Sequence, residues 1–299
     1  MTINALAVSV LATTIITACT AASHGRYTER WSNGGELDTL RLSNGFSLRY
    51  LRVGDGPPLV LLHTIRTQLD YFEKLVPALR ARYRVYMIDL PGHGQSSILD
   101  TEYTEHLFRE SVGELITKLD LRGVTLVGES IGAVLALTVA AKLPDRIARV
   151  VAINPYDYGD RFGGGIRNGS ASWILGVFHV FPIETRAILA KVIESGFHDR
   201  SRLDGSFLDE LFATGKRPGY RRMEYSLFAN WRSWLDARSL YPLVKAPVTL
   251  VYSSNDWSTI DDRRRTQSAL RVAAPTTLED AGHFASLEHP DAVLRAIVE

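Results

Sequence analysis

The 299-residue chain lacks several features that define other classes of protein. It has a single cysteine, Cys19, so no disulfide can form within the chain. Its 34 basic and 33 acidic residues leave a net charge of +1, which gives no electrostatic reason to expect nucleic acid as a partner. The sequence contains no internal repeat, P-loop, dinucleotide-binding glycine motif or metal-ligand cluster, so neither a cofactor nor a metal is implied.

An uncharged apolar segment, Ala5–Ala18, is too short to cross a bilayer comfortably as a helix. It leads into Ile16-Thr17-Ala18-Cys19, which resembles the lipobox of bacterial lipoprotein signal peptides, although no Lys or Arg precedes the segment. The resemblance implies a signal peptide over residues 1–19, a tether over residues 20–36, and a lipid anchor on Cys19 that holds the protein in the cell envelope. The alternative is an N-terminal hydrophobic helix, or a misassigned start codon, in a cytoplasmic protein.

The stretch Val124 to Ala141 predicts a buried strand, a sharp turn and a buried helix in immediate succession. Its first four residues form an apolar, β-branched run that is typical of a central strand in a parallel sheet. The turn reads Gly128-Glu129-Ser130-Ile131-Gly132, a G-x-S-x-G sequence in which a Cβ at either glycine would clash. Ser130 is therefore predicted to project from a strained turn, with the N–H of Ile131 pointing to where an oxyanion would form. Taken alone, the motif is also compatible with a glycine-flanked turn in which Ser130 is an ordinary helix-capping serine.

Strand-like and helix-like patterns alternate along the rest of the chain. The predicted strands besides the one before Ser130 are Leu37–Leu42, Phe46–Val53, Leu59–His63, Tyr83–Leu90, Ile147–Ile153, Ala246–Tyr252 and Thr276–Leu278. Helices are predicted over Thr67–Arg82 and Glu105–Leu119, where apolar residues recur at helical spacing. This order predicts an α/β protein whose strands are joined by right-handed crossovers.

Three motifs, taken in this order and spacing, resemble those of the α/β-hydrolase superfamily. They are an apolar strand ending in His63, the segment Asp89-Leu90-Pro91-Gly92-His93-Gly94-Gln95-Ser96, and the G-x-S-x-G turn at Ser130. The resemblance covers nearly all of residues 37–299. It implies the α/β-hydrolase fold: a mostly parallel eight-stranded sheet flanked by helices, with a helical cap of about residues 156–240 inserted after the sixth strand.

The resemblance also implies a catalytic triad in the chain order serine, acid, histidine. Ser130 is then the nucleophile. Asp256, which follows a late strand, is the acid, and His283 in the terminal Gly-His loop is the base. Asp261 and Asp262 fall about one turn after Asp256 and are expected to be solvated helix caps instead.

An oxyanion hole is implied at the backbone N–H groups of Ile131 and Ile65, the second lying two residues after His63. The family normally has glycine at the position of Thr64, so a Cβ enters the turn that carries Ile65. Arg66 is unusual beside it, and either meets an anionic substrate group or lies in solvent or in a structural ion pair. Three other histidines are assigned structural roles: His63 and His93 shape turns, and His289 caps the last helix.

The cap region is predicted to hold short helices over Ser172–Phe181, Ile183–Ser195, Ser206–Phe212 and Tyr220–Ala237. Its aromatic side chains either line an acyl pocket or belong to the core. They are Tyr156, Trp173, Phe178, Phe181, Phe228, Trp231 and Trp234.

The filled triad predicts a serine hydrolase that cleaves a small or medium-sized carboxylic ester through an acyl-enzyme. The expected partner of the protein is therefore a small-molecule ester substrate, and no cofactor is expected. The same triad also serves carbon–carbon bond hydrolases, lactonases, thioesterases and perhydrolases, which remain alternatives. Haloalkane dehalogenases and epoxide hydrolases are disfavoured, because both need an aspartate where Ser130 stands. A ligand-binding member without turnover is a further alternative.

Overall fold

The computed structural model describes residues 27–32, 34–159, 161–162, 169–170 and 185–299. Cys19, the predicted signal peptide and the predicted cap helix Ser172–Phe181 lie outside the described residues. Residues 27–32, which fall within the predicted tether, are helical. The part from Gly35 to Glu299 forms a compact unit of its own. No helix within the described ranges is both long enough and apolar enough to cross a membrane.

An eight-stranded sheet forms the centre of this unit. Its strands are β1 (Glu36–Arg41), β2 (Ser47–Val53), β3 (Pro58–Leu62), β4 (Arg84–Ile88), β5 (Val124–Glu129), β6 (Ile147–Ile153), β7 (Val248–Ser253) and β8 (Thr276–Leu278). The order across the sheet is β1-β2-β4-β3-β5-β6-β7-β8. The pairs β1–β2 and β2–β4 are antiparallel and the remaining pairs are parallel. The α/β-hydrolase fold expected from the sequence is confirmed, and each strand lies within two residues of its predicted limits.

Helices occupy the connections between the strands and also follow the last strand. They are α1 (Val76–Leu79), α2 (Glu105–Lys118), α3 (Ile131–Lys142), α4 (Arg186–Glu194), α5 (Gly205–Thr214), α6 (Tyr220–Ala229), α7 (Trp231–Asp236), α8 (Ile260–Leu270), α9 (Ala285–Glu288) and α10 (Pro290–Val298). Helix α3 is buried from Ile131 to Ala140 because its side chains are apolar on every face. Helices α4 to α7 lie in the long insertion between β6 and β7.

The predicted helix Thr67–Arg82 is wrong as a continuous element. The structure has a 3-10 helix at Leu69–Phe72 and then the separate short helix α1. Pro77 lies in the first turn of α1, where its missing N–H costs nothing; inside a longer helix it would remove a hydrogen bond and clash. The predicted helix Tyr220–Ala237 is likewise divided, between α6 and α7, at Asn230.

The carboxyl ends of β5, β6 and β7 lie side by side at one edge of the sheet. Asn154, directly after β6, joins the neighbouring loops, and it adopts a positive φ of 45°. Its Nδ2 donates to the Oγ of Ser253 and to the carbonyl oxygen of His283, both at 3.0 Å. Its Oδ1 accepts the N–H of Ser253 at 2.8 Å. The loops after β7 and β8 are therefore held together by one buried amide.

Candidate active site

Ser130 lies at the sharp turn between β5 and α3. Its backbone has φ 59° and ψ −120°, a strained conformation for a residue with a Cβ. A Cβ on Gly128 would lie 2.7 Å from the N of Ala133, and one on Gly132 would lie 2.6 Å from the carbonyl oxygen of His63. Gly128 thus allows β5 and α3 to meet closely at the turn, for the steric reason that the sequence suggested, whereas Gly132 allows α3 to approach the end of β3.

Ser130, His283 and Asp256 form one continuous chain of hydrogen bonds. The Oγ of Ser130 lies 2.9 Å from Nε2 of His283. The Nδ1 of the same imidazole lies 2.5 Å from Oδ1 of Asp256. The side chains of His283 and Asp256 are both fully buried. The structure therefore brings together three residues that are up to 153 positions apart in the chain.

The Asp256 carboxylate is fixed by the turn that follows it. Its Oδ2 accepts the N–H of Ser258 at 3.0 Å and also the hydroxyl of Ser258. Burial alone would raise the pKa of Asp256, but the facing His283 and the hydrogen bonds from Ser258 outweigh burial and lower it below its ordinary range. Asp256 is therefore a carboxylate at neutral pH, oriented towards the imidazole.

Asp256→Asn is expected to lower turnover by about 10⁴-fold with little change in fold, because an amide there favours the wrong imidazole tautomer. Steady-state kinetics with a chromogenic ester would measure the loss. Asp261→Asn is the matched control, since the Asp261 side chain is 79% exposed in the first turn of α8. A larger loss in Asp261→Asn than in Asp256→Asn would show that the acid has been misassigned.

Asp262 is a helix cap but is not solvated, which corrects one expectation. Only 1% of its side chain is exposed, and it completes a capping box with Thr259 at the start of α8. Its Oδ1 also accepts a hydrogen bond from Arg265 at 2.7 Å. Asp261 is exposed, as expected for a solvated cap.

The turn after β3, which carries Ile65, lies against the first turn of α3, which carries Ile131. The short distance from Gly132 to the His63 carbonyl places the two turns in direct contact. Thr64 is buried without a positive φ; the left-handed conformation falls on Arg66, with φ 61°. A Cβ at Thr64 therefore requires no unusual backbone there.

Arg66 is held in a buried ion pair. Its Nη1 lies 2.5 Å from Oε1 of Glu224 on helix α6, and the two side chains are 9% and 3% exposed. Of the fates considered for Arg66 from the sequence, the structure shows the ion pair. The pair joins the turn after β3 to the segment inserted between β6 and β7.

The other histidines named from the sequence hold backbone in place. The Nε2 of His63 accepts the N–H of Leu90 at 3.0 Å, and Nδ1 of His93 lies 3.0 Å from the carbonyl oxygen of Pro91. Burial lowers the pKa of His63 to about 4 and that of His93 to about 3, so both stay neutral. His289 occupies the N-cap position of α10, but its ring contacts the carbonyl oxygen of Asp280 instead of capping the helix.

Glu129, next to Ser130, is a fully buried carboxyl group beneath the loop that carries His283. It accepts the N–H of Ala285 at 2.6 Å and the N–H of Ser286 at 3.2 Å. Burial raises the pKa of Glu129 to about 7, and these hydrogen bonds limit the rise. The side chain before the candidate nucleophile therefore supports the backbone just after the candidate base.

The raised pKa of Glu129 predicts a pH-dependent difference between the wild type and Glu129→Gln. From the unfolded value of 4.5 up to about 7, the native state keeps a proton that the unfolded chain releases, so the wild type loses stability as pH rises. From pH 4.5 to pH 8, the free energy of unfolding of the wild type should fall by about 3 kcal/mol relative to that of Glu129→Gln. Urea denaturation at both pH values measures this. A difference that does not change with pH would contradict the assignment.

Glu288 was not singled out from the sequence, yet it fixes the same loop from the other side. Its carboxylate accepts N–H groups from Gly282 at 2.7 Å, His198 at 3.1 Å and Asp199 at 2.6 Å. The first precedes His283 and the other two belong to the insertion between β6 and β7. A glutamate in a short helix gives no sequence signal for such a role, because its partners are backbone groups distant in the chain.

Several aromatic pocket candidates turn out to be core residues. Trp234 is 1% exposed and packs on Phe108 at 5.5 Å between ring centroids, while Tyr156 and Phe228 are also buried. Trp231 is partly buried against the same core. Trp173, Phe178 and Phe181 lie outside the described residues. Within the described ranges, no group of three or more His, Cys, Asp or Glu side chains is placed to hold a metal.

The fold agrees with comparisons to known proteins. Residues 57–290, more than half of the chain, match the family model described as alpha/beta hydrolase fold. The chain therefore belongs to the alpha/beta hydrolase family.

Individual relatives cover the chain only in part. One is the (E)-2-((N-methylformamido)methylene)succinate hydrolase of Acinetobacter baylyi, 34% identical over 116 residues, which are 39% of this chain and 44% of that protein. Another is the dihydrolipoyllysine-residue acetyltransferase component of an acetoin cleaving system from Cupriavidus necator. It is 26% identical over 250 residues, 82% of this chain and 64% of that protein. The chain thus spans less than two thirds of the length of these relatives.

Among solved structures, a hydrolase from Pseudomonas aeruginosa PA01 is similar with a TM-score of 0.72. The match covers 89% of this chain and 98% of that one at 24% sequence identity. A likeness at this level of identity establishes the shared fold.

Proposed function

We propose that the protein is a serine hydrolase that cleaves carboxylic esters of small or medium-sized substrates through an acyl-enzyme. The observation that carries the proposal is the unbroken hydrogen-bond chain from Asp256 through His283 to Ser130. A serine hydroxyl is a weak nucleophile at neutral pH and needs a base within hydrogen-bond distance. At 2.9 Å, Nε2 of His283 meets that requirement.

In the first half of the reaction, Oγ of Ser130 attacks the ester carbonyl carbon as its proton passes to Nε2 of His283. Asp256 keeps the remaining imidazole proton on Nδ1 and offsets the positive charge that forms. The N–H groups of Ile131 and Ile65 are assigned to the oxyanion, each contributing about 3 kcal/mol of transition-state stabilisation. The imidazolium then protonates the departing alcohol, which leaves an acyl group on Ser130.

In the second half, a water molecule gives a proton to His283 and attacks the acyl carbonyl. Collapse of the second tetrahedral intermediate breaks the bond to Ser130, whose Oγ regains its proton from His283. The free acid leaves and the enzyme returns to its starting state. In each half, His283 therefore acts first as base and then as acid.

Chromogenic esters with acyl chains of increasing length and alcohols of increasing size would test the ester assignment. We expect steady-state turnover on at least one short or medium-chain ester, with equal amounts of acid and alcohol released. Thioesters, lactones and carbon–carbon cleavage substrates measured in parallel separate the alternatives. Turnover confined to one of those classes would contradict ester hydrolysis while preserving the triad.

We further propose that Cys19 anchors the mature protein to the cell envelope, on the strength of the sequence Ile16-Thr17-Ala18-Cys19. Expression in a bacterium with and without Cys19→Ala tests this. The wild type should fractionate with membranes and carry a lipid on its first mature residue, and the variant should not. Identical soluble fractionation of both would favour the cytoplasmic alternative.

A further inference from the structure

The imidazole of His283 has an aromatic ring stacked on its face. The Trp257 indole lies parallel to it, with ring centroids 3.9 Å apart and an angle of 11° between the planes. Phe284 approaches the same imidazole at 5.3 Å and 66°. Hydrogen bonds to Asp256 and Ser130 already occupy both ring nitrogens, so they fix the ring within its own plane. The indole limits movement out of that plane.

Trp257 is itself held from two sides. It directly follows Asp256, so the candidate acid and the stacked ring come from one turn after β7. Its indole N–H donates to the carbonyl oxygen of Ser195 at 3.3 Å. Ser195 ends helix α4, which belongs to the segment inserted between β6 and β7. The indole also packs edge-to-face on Phe284 at 5.6 Å.

We propose that Trp257 is a positioning residue for the base. Its indole face keeps the imidazole in the plane that joins Ser130 to Asp256, and it stabilises the positive charge that His283 gains on taking the serine proton. This inference rests on the proposed hydrolase function. The electron-rich face of tryptophan attracts a cation more strongly than the ring of any other side chain.

The charge on His283 exists in the transition state and not in the enzyme–substrate complex. An interaction made with that charge therefore raises kcat and leaves KM nearly unchanged. Attractions of this kind correspond to a factor of about 5 in rate at exposed sites and about 30 or more when both groups are desolvated. Because His283 is fully buried and Trp257 is partly buried, we expect a factor of about 10 to 30. If Trp257 only lined the substrate pocket, its replacement would weaken substrate binding and raise KM.

Two variants separate the indole face from the rest of the side chain. Trp257→Leu keeps apolar bulk but removes the aromatic face, and Trp257→Phe keeps a face but removes the N–H bonded to Ser195. With an ester that the wild type hydrolyses, we expect kcat of Trp257→Leu to fall about 10- to 30-fold, with KM within about twofold. Trp257→Phe should restore kcat to within about threefold of the wild type, since phenylalanine keeps most of the attraction.

Three kinetic results would each overturn the proposal. They are an unchanged kcat in Trp257→Leu, a rise in KM at constant kcat, and equal loss of kcat in the leucine and phenylalanine variants. Thermal unfolding of each variant accompanies the kinetics. If the melting temperature and kcat fell together in both variants, the role would be structural only, which also contradicts the proposal.

Proton NMR of the histidine ring supplies a readout that needs no turnover. The indole ring current should shift the carbon-bound ring protons of His283 upfield in the wild type, and Trp257→Leu should abolish the shift. If the wild type showed the upfield shift but neither hydrolysed esters nor reacted with a fluorophosphonate, the hydrolase function would be contradicted, and the role of Trp257 with it. If the wild type hydrolysed the ester and Trp257→Leu had the same kcat, only the role of Trp257 would be contradicted.

Discussion

A Ser130→Ala protein is expected to lose ester hydrolysis by about 10⁶-fold while keeping its fold, because the attacking oxygen is gone and the remaining groups only polarise the substrate. The substitution removes one buried hydroxyl. Alanine has a Cβ as serine does, so it can adopt the strained backbone conformation of the turn with the same conformational energy. Initial rates with the best ester of the panel measure the loss. Circular dichroism and thermal unfolding check that the protein is folded.

Ser254→Ala is the matched control for this substitution. Ser254 is exposed in the loop after β7, only two residues from Asp256, and its Oγ accepts a hydrogen bond from Asn255. We expect near-normal rates from it. A Ser130→Ala protein with more than about a hundredth of the wild-type rate would remove this residue from the nucleophile role, since triad knockouts cost far more.

Gly132→Ala is expected to destabilise the protein by about 3 kcal/mol or more, or to prevent folding. The new Cβ would lie 2.6 Å from the carbonyl oxygen of His63 and closer still to that of Leu62. Both obstacles are backbone atoms, so no side-chain rotation relieves the overlap. The end of β3 must move away from α3, and the turn carrying Ile65 must move with it. Urea denaturation measures the loss.

Gly113→Ala provides the control for adding a methyl group at a glycine. A Cβ there would lie 3.6 Å from Cδ1 of Leu143, an ordinary van der Waals distance, and Gly113 is in the middle of α2. Alanine favours a helix interior by about 1 kcal/mol over glycine, so this variant should be as stable as the wild type or more so. Equal stability of Gly132→Ala and the wild type would contradict the close contact of the turns.

The sheet could be predicted from the sequence because parallel strands impose strong local patterns, whereas the triad residues followed from the resemblance of the motifs to those of the α/β-hydrolase superfamily. Apolar runs fixed the strands, and the glycines around Ser130 marked the turn after β5. The resemblance to the α/β-hydrolase superfamily, with its chain order of serine, acid and histidine, implied that Ser130, Asp256 and His283 meet. The structure brings Ser130, Asp256 and His283 within hydrogen-bond distance there.

Other features depend on contacts that no local pattern reports. The stacking of Trp257 on His283, and the hydrogen bonds that Glu129 accepts from the backbone just after His283, join residues 26 or more positions apart in the chain. The sequence does not indicate whether a tryptophan that follows an aspartate, or a glutamate that precedes a serine, faces solvent or the site. The burial of Asp262 similarly depends on the capping box at the start of α8 and on its packing.

The break in the predicted helix Thr67–Arg82 has a local cause that periodicity alone overlooked. Apolar residues at helical spacing continue through the segment, yet Pro77 sets a new helix start. The carboxylate of Asp89 also accepts the N–H of Leu69 at 2.8 Å, which starts the preceding 3-10 turn. The effect of Pro77 on the backbone therefore outweighs the helical spacing of the apolar residues.

Covalent trapping by a fluorophosphonate tests the central claim most directly, because the reagent reacts with a serine whose proton is taken by a neighbouring base. Intact-protein mass spectrometry should show one phosphonyl adduct per chain, peptide mapping should place it on Ser130, and Ser130→Ala should remain unlabelled. An unlabelled wild type, or an adduct on a different residue, would contradict a nucleophilic serine at this turn.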